Sequence, residues 1–255
     1  MYVELITKSG GVTDTPTLPS NPELEAVHAM RPGLLLDVQG RYLMHAGDDP
    51  ATAFAALNLA DDTVLTLFDT HRPELQPGDK GLRFGPYIGL VREDDRALNM
   101  AGDYTIAWVG RITPGTGGVV VGQQTSADAS WAGYDYSTGA LTVAHAGLYY
   151  ALGANELDDG DWHSVLVAFD AARGELSIYT DGVYGATAIG VATGWGAEGR
   201  LIVGAIGETA VSAFFGGDLA ALTVLPGRCL HSAGELTSRG AVFTWLDQVK
   251  TRMTA

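Results

Sequence analysis

The chain has 255 residues, 46 % of them apolar, with 15 basic side chains against 30 acidic ones and a formal net charge of −15. That length carries a sizeable core in one large all-β domain or two smaller ones, while the charge excludes an electrostatic grip on nucleic acid or an anionic membrane. The lone Cys229 excludes an intrachain disulfide framework and any cysteine-rich metal site.

Residues 1–8 lack the basic region and apolar stretch of a signal peptide, so export by such a signal is not expected. No run approaches the roughly 20 apolar residues of a membrane span. Residues 1–32 are turn-rich and proline-punctuated, which predicts an extended N-terminal arm. Within it, Ser20, Pro22 and Glu23 predict a capping box and one short helix through Met30, stopped by Pro32. The remainder, 33–255, reads as one body. Its first part, 33–77, predicts a hairpin of Leu34-Leu-Leu-Asp-Val38 with Arg41-Tyr-Leu-Met44 about a Gln39-Gly40 turn. A helix over Ala51-Thr-Ala-Phe-Ala-Ala-Leu57 capped by Asp49, and a strand at Thr63-Val-Leu-Thr-Leu-Phe68, are expected next.

From residue 78 to 240, strand follows strand between glycine turns. The strand candidates start at Gly81, Pro86, Tyr104, Gly118, Ala140, Leu148, His163, Gly174, Leu201 and Asp218. In Val165, Val167 and Phe169 one side is apolar and β-branched or aromatic, as packing on a second sheet requires. The period then changes: Ser232 and Glu235 form a second capping box, and Val242, Trp245, Leu246 and Val249 recur at helical spacing, predicting a short C-terminal helix over 241–255. The expected fold is all-β, a two-sheet antiparallel jelly-roll sandwich with an N-terminal arm and a C-terminal helix.

Asp161-Trp162-His163-Ser-Val-Leu-Val-Ala-Phe-Asp170, followed by Gly174-Glu-Leu-Ser-Ile-Tyr and Asp181-Gly182, resembles the central segment of laminin-G-like, concanavalin A-like modules. Gly81-Leu-Arg-Phe-Gly-Pro-Tyr-Ile and Gly102-Asp-Tyr-Thr-Ile-Ala-Trp resemble their opening strands. Arg200-Leu-Ile-Val-Gly and Phe215-Gly-Gly-Asp-Leu-Ala-Ala-Leu-Thr-Val resemble their closing ones. The resemblance runs in one order over residues 78–240 and speaks for fold more than for function. Trp162 is expected to plug the space between the sheets, with His163 structural rather than catalytic.

Glycan-cleaving members of this fold class carry a Glu-x-Asp-x-x-Glu strand, and none exists here; Glu156-Leu-Asp-Asp-Gly-Asp161 falls in a predicted turn. Gly-x-Ser-x-Gly, Gly-x-x-x-x-Gly-Lys and His-Glu-x-x-His are also missing. An enzyme is therefore not expected, and Cys229 reads as a small buried hydrophobe. Lectin-like jelly rolls often hold calcium at a loop rim, which would place a calcium ion first at Asp158, Asp159 and Asp161, against the plainer reading of solvated turn residues. For a sugar, Trp131, Tyr134, Asp135 and Tyr136 are the candidate contacts, with Tyr134 and Tyr136 on one face if the piece is extended. Tyr149-Tyr150 is the other dense aromatic stretch. Covering a sheet face or an oligomer contact is the competing role for these rings.

Modules resembling this one occur in bacteriophage virion proteins. The first functional expectation is thus a non-enzymatic structural or attachment component of a phage particle, located in the virion. It would assemble with other virion proteins or as a homo-oligomer through its arm, and bind a host-surface glycan. A free-standing carbohydrate-binding lectin or adhesin is the alternative, strengthened by multivalency. A divergent glycan hydrolase or lyase comes last.

Overall fold

The computed structural model describes residues 21–38, 43–44, 55–61, 64–68, 71, 73–76, 80–92, 98–124, 129–135, 137–152, 157–191, 194–195, 199–207 and 213–255. Its elements begin with helix α1 (Pro22–His28) and strands β1 (Leu34–Asp37), β2 (Leu43–Met44), β3 (Ala55–Leu57), β4 (Val64–Leu67), β5 (Glu74–Leu75), β6 (Leu82–Phe84) and β7 (Leu90–Arg92). The long central strands follow: β8 (Tyr104–Ile112), β9 (Gly118–Gln124), β10 (Ala129–Asp135), β11 (Ala140–His145), β12 (Leu148–Ala151) and β13 (Trp162–Asp170). Strands β14 (Glu175–Thr180), β15 (Val183–Ile189), β16 (Arg200–Val203) and β17 (Gly217–Pro226) lead to helix α2 (Leu236–Thr254).

Two antiparallel sheets face each other. The first runs β15-β14-β13-β8-β17-β6-β5 with β1 also on β17, and the second runs β12-β11-β10-β9-β16-β7-β4-β3-β2. Strand alternation explains the layers. On β8 and β13, Tyr104, Ile106, Trp108, Val165, Val167 and Phe169 point between the sheets and meet Leu141, Val143, Leu201 and Val203 from the second. The intervening Ala107, Val109, Leu166 and Ala168 point the other way, under the helices. Val242, Trp245, Leu246, Val249 and Met253 form the apolar stripe of α2, which covers this outer face together with Leu24 and Val27 of α1. Among the described residues, the sandwich therefore has a third, helical layer, packed on the outer face of the first sheet. Among the described residues, no helix is long and apolar enough to cross a membrane.

Several local expectations are corrected. Asn21, not Ser20, caps α1 by accepting the Leu24 N–H (3.1 Å), and Ser20 lies outside the described residues. The expected pairing of β1 with β2 is replaced: β1 pairs with β17, while β2 lies in the other sheet beside β3, and the Gln39-Gly40 turn lies outside the described residues. Ala55–Leu57 is a strand rather than the end of a helix, because pairing with β4 and burial of Ala56 override alanine's helix preference; Asp49, its expected cap, lies outside the described residues. Trp162 is buried on the helix side of the first sheet instead of between the sheets, with the Arg111 guanidinium 5.2 Å from its ring. Ser232 makes no side-chain cap, and Glu235 instead holds Arg228 (2.7 Å). Cys229 is buried, as expected.

Candidate functional site

With both helices on the first sheet, the outward face of the second sheet carries its own pattern. Residues directly opposite across antiparallel strands share a face. Following those pairs, Tyr149, Ala144, Trp131, Gly122, Ile202, Val91 and Thr66 form one row across six neighbouring strand pairs. Tyr149 is 67 % exposed and its ring meets Trp131 edge-on at 5.8 Å between centroids. Gly122 is the floor beside that pair, where an added Cβ would lie 3.1 Å from both Ile206 and Trp131. Two residues along each strand, Ala129, Gln124 and Arg200 form a parallel, more polar row. Arg200 reaches over the Phe68 ring at 5.9 Å. An aromatic pair beside amide and guanidinium groups can stack on the C–H face of a sugar while bonding its hydroxyls.

Alternation along β10 divides the sequence candidates. Trp131 and Asp135 point outward, and the Asp135 carboxyl is held below its usual range by the Ser137 hydroxyl (2.7 Å), which keeps it an acceptor. Tyr134 points inward and is corrected as a surface contact: it is 3 % exposed, and its hydroxyl donates to Asp158 (3.0 Å). Tyr136 lies outside the described residues. Gly133 separates the two outward side chains, because a Cβ there would strike the Gly118 carbonyl where β9 slips register. Gln124, Arg200 and the ring cluster of Tyr87 with His71 (5.6 Å) and Phe214 (5.0 Å) were not legible from sequence. Tyr87 holds its exposed ring from a backbone φ of 65°, a conformation rare for an aromatic residue.

The three aspartates expected to hold calcium do not fit one ion. Asp158 accepts from Tyr134, and Asp159 accepts from the Asp161 N–H (2.7 Å) and His163 (3.1 Å), while the side chain of Asp161 joins neither. No group of three or more metal-binding side chains converges among the described residues. Asp159 belongs instead to a charge network at the other sheet. His163 Nε2 meets Asp159, and its Nδ1 meets Asp181 at 2.9 Å; Lys250 of α2 reaches Asp181 at 2.7 Å. Two carboxylates on two ring nitrogens require an N–H at each, which only the imidazolium supplies. Hydrogen bonding to Asp181 accordingly raises the His163 pKa, against an opposing effect of burial. Burial would raise Asp159 and Asp181, but the Asp161 N–H and His163 on the first, and His163, Lys250 and the Ser164 N–H on the second, hold both below the usual carboxylate range.

The pH dependence follows in sign. The raised His163 contributes stability fully below its unfolded value of about 6.5, and that contribution is lost as pH rises through the folded value. The depressed carboxylates contribute above about 4 and lose their effect as pH falls through their folded values. Melting curves from pH 5 to 9 (roughly the window of histidine titration) are expected to show the wild type losing midpoint relative to His163→Gln across the neutral range; parallel profiles would refute the imidazolium.

A family model for the concanavalin A-like lectin/glucanases superfamily (Laminin_G_3) matches residues 88–232. No curated protein matches the chain. Among solved structures, the botulinum neurotoxin serotype D binding domain aligns over 83 % of this chain and 52 % of its own at 9 % identity, with a TM-score of 0.54. This chain thus spans about half of that toxin chain, and the likeness is one of fold. The Ruminococcus gnavus IT-sialidase CBM40 aligns over 62 % of this chain and 95 % of its own at 13 % identity, TM-score 0.49. A heptameric SAP-like pentraxin from Limulus polyphemus aligns over 51 % and 67 % at 17 % identity, TM-score 0.39.

Proposed function

Because the chain belongs to the concanavalin A-like lectin/glucanases superfamily, we propose that it is a non-enzymatic carbohydrate-binding module that engages glycan on the outward face of its second sheet. The observation that carries this reading is the Trp131–Tyr149 pair, set on a sheet face beside Gln124 and Arg200. The absence of a Glu-x-Asp-x-x-Glu strand from the sequence supports binding without cleavage. The attachment role on a phage particle is the same recognition chemistry displayed on a scaffold, so one assay addresses the step they share.

A glycan array probed with wild type and Trp131→Ala tests it. The wild type is expected to bind a defined glycan, and the variant to bind it about tenfold more weakly, the loss of roughly 1.4 kcal/mol of aromatic contact. Tyr134→Phe, which changes only an inward hydroxyl, is expected to bind as the wild type does. Binding unchanged by Trp131→Ala, or no glycan bound at all, would refute the proposal.

A further inference from the structure

A cleft lies far from that face in the topology, where α2 crosses the turn between β14 and β15. It has a volume of about 370 Å³ and is lined by Ser164, Asp181, Gly182, Phe243, Thr244, Asp247 and Lys250. Small-molecule sites run from roughly 300 to 1,000 Å³, so this one suits a single ring rather than a chain. Phe243, Asp247 and Lys250 stand at i, i+4 and i+7, one stripe of the helix.

The hydrogen-bonding capacity left in the cleft selects its ligand. Asp181 is already satisfied: it accepts from the Ser164 N–H (2.9 Å), His163 (2.9 Å) and Lys250 (2.7 Å). Lys250 has three N–H donors, and this ion pair occupies one. Thr244, which also lines the cleft, donates its hydroxyl proton to the Gly240 carbonyl (2.9 Å), so that proton is not available to a ligand. Asp247 makes no hydrogen bond or ion pair among the described residues, and its carboxylate offers acceptors one helical turn from the Lys250 donors. Phe243 supplies an apolar surface, fixed by the Tyr179 ring at 5.3 Å.

An anionic ligand would meet Asp247 as well as Asp181. A simple ammonium would satisfy Asp247 but be repelled by Lys250. Vicinal hydroxyls resolve both, donating to the carboxylate and accepting from the ammonium, while a C–H face covers the phenyl ring. We infer that this cleft binds one neutral saccharide ring, as a site separate from the Trp131 face. The chemistry of the cleft stands without that face, and a chain carrying both would hold glycan at two points.

Saturation-transfer NMR with a panel of neutral methyl glycosides tests this on the full chain. Three proteins are compared: wild type, Asp247→Ala and Trp131→Ala. Asp247 is exposed on its helix, and a melting curve confirms that its variant is folded. At least one glycoside is expected to bind wild type and Trp131→Ala alike and to bind Asp247→Ala about tenfold more weakly, as loss of a hydrogen bond to a charged group implies. Binding abolished by Trp131→Ala but untouched by Asp247→Ala would sink the cleft and leave the sheet face standing. So would displacement of the glycoside by equimolar acetate or methylammonium. Silence from every glycoside with wild type also overturns it.

Discussion

Trp245→Ala is expected to destabilise the protein by about 3–5 kcal/mol, a large share of the roughly 5–15 kcal/mol available to a domain. Trp245 is fully buried in the layer between α2 and the first sheet, among Leu35, Leu166, Ala221 and Leu225. Removing the indole leaves a cavity that the neighbouring strands cannot close over, since the backbones of Leu166 and Ala221 are held by ladders on both sides. The loss extends to α1, whose Leu24 and Val27 share the same cluster. Urea unfolding read by far-UV circular dichroism measures it. A loss below about 1 kcal/mol would mean that α2 is not part of the cooperative body.

The second large effect concerns Asp37 at the end of β1. Its carboxylate is fully buried and accepts from Arg252 of α2 (2.6 Å) and from the Trp245 indole N–H (3.3 Å). Arg252→Ala strips the guanidinium from a buried charge and is expected to cost about 3 kcal/mol, the low end for a broken buried pair because Arg252 is 35 % exposed. Replacing both partners, Asp37→Leu with Arg252→Met, removes the charge altogether and is expected to recover most of that loss. If the double variant is as unstable as the single one, packing rather than the ion pair sets the cost. Trp245 and Arg252 both bond the Asp37 carboxylate, so their effects will not add.

Where local pattern and tertiary environment agree, the sequence was legible. The alternating faces of β8 and β13 and the helical stripe of α2 were all readable, because each buries its apolar side against a single neighbouring layer. β15 escaped notice because Val183-Tyr-Gly-Ala-Thr-Ala-Ile189 carries a register shift against β14 and few bulky inward residues. β1 was found but mispaired: Leu34-Leu-Leu-Asp37 is buried on all four residues, and a nearby glycine turn was a more visible partner than a strand nearly two hundred positions away. At the site, Trp131 and Asp135 were recognisable as types. Only the β10 pairings reveal that Tyr134 faces the core, and only the β16 pairings bring Arg200 alongside. The aspartates at 158, 159 and 161 looked like one cluster because neighbours in sequence invite that reading, although their side chains serve different partners.

The pairing of β1 with β17 also bears on how the molecule is made. Leu34 sits opposite Val224, so β1 finds its place only after a strand nearly two hundred positions later has left the ribosome. Until then, three consecutive leucines and the cluster-facing side of α1 have no home. Such closure across most of the chain is intrinsically slow, because a long loop must be organised before any contact rewards it. Cells producing this protein in quantity would gain most from whatever shields the waiting β1 segment, whether a lower growth temperature or a holding chaperone.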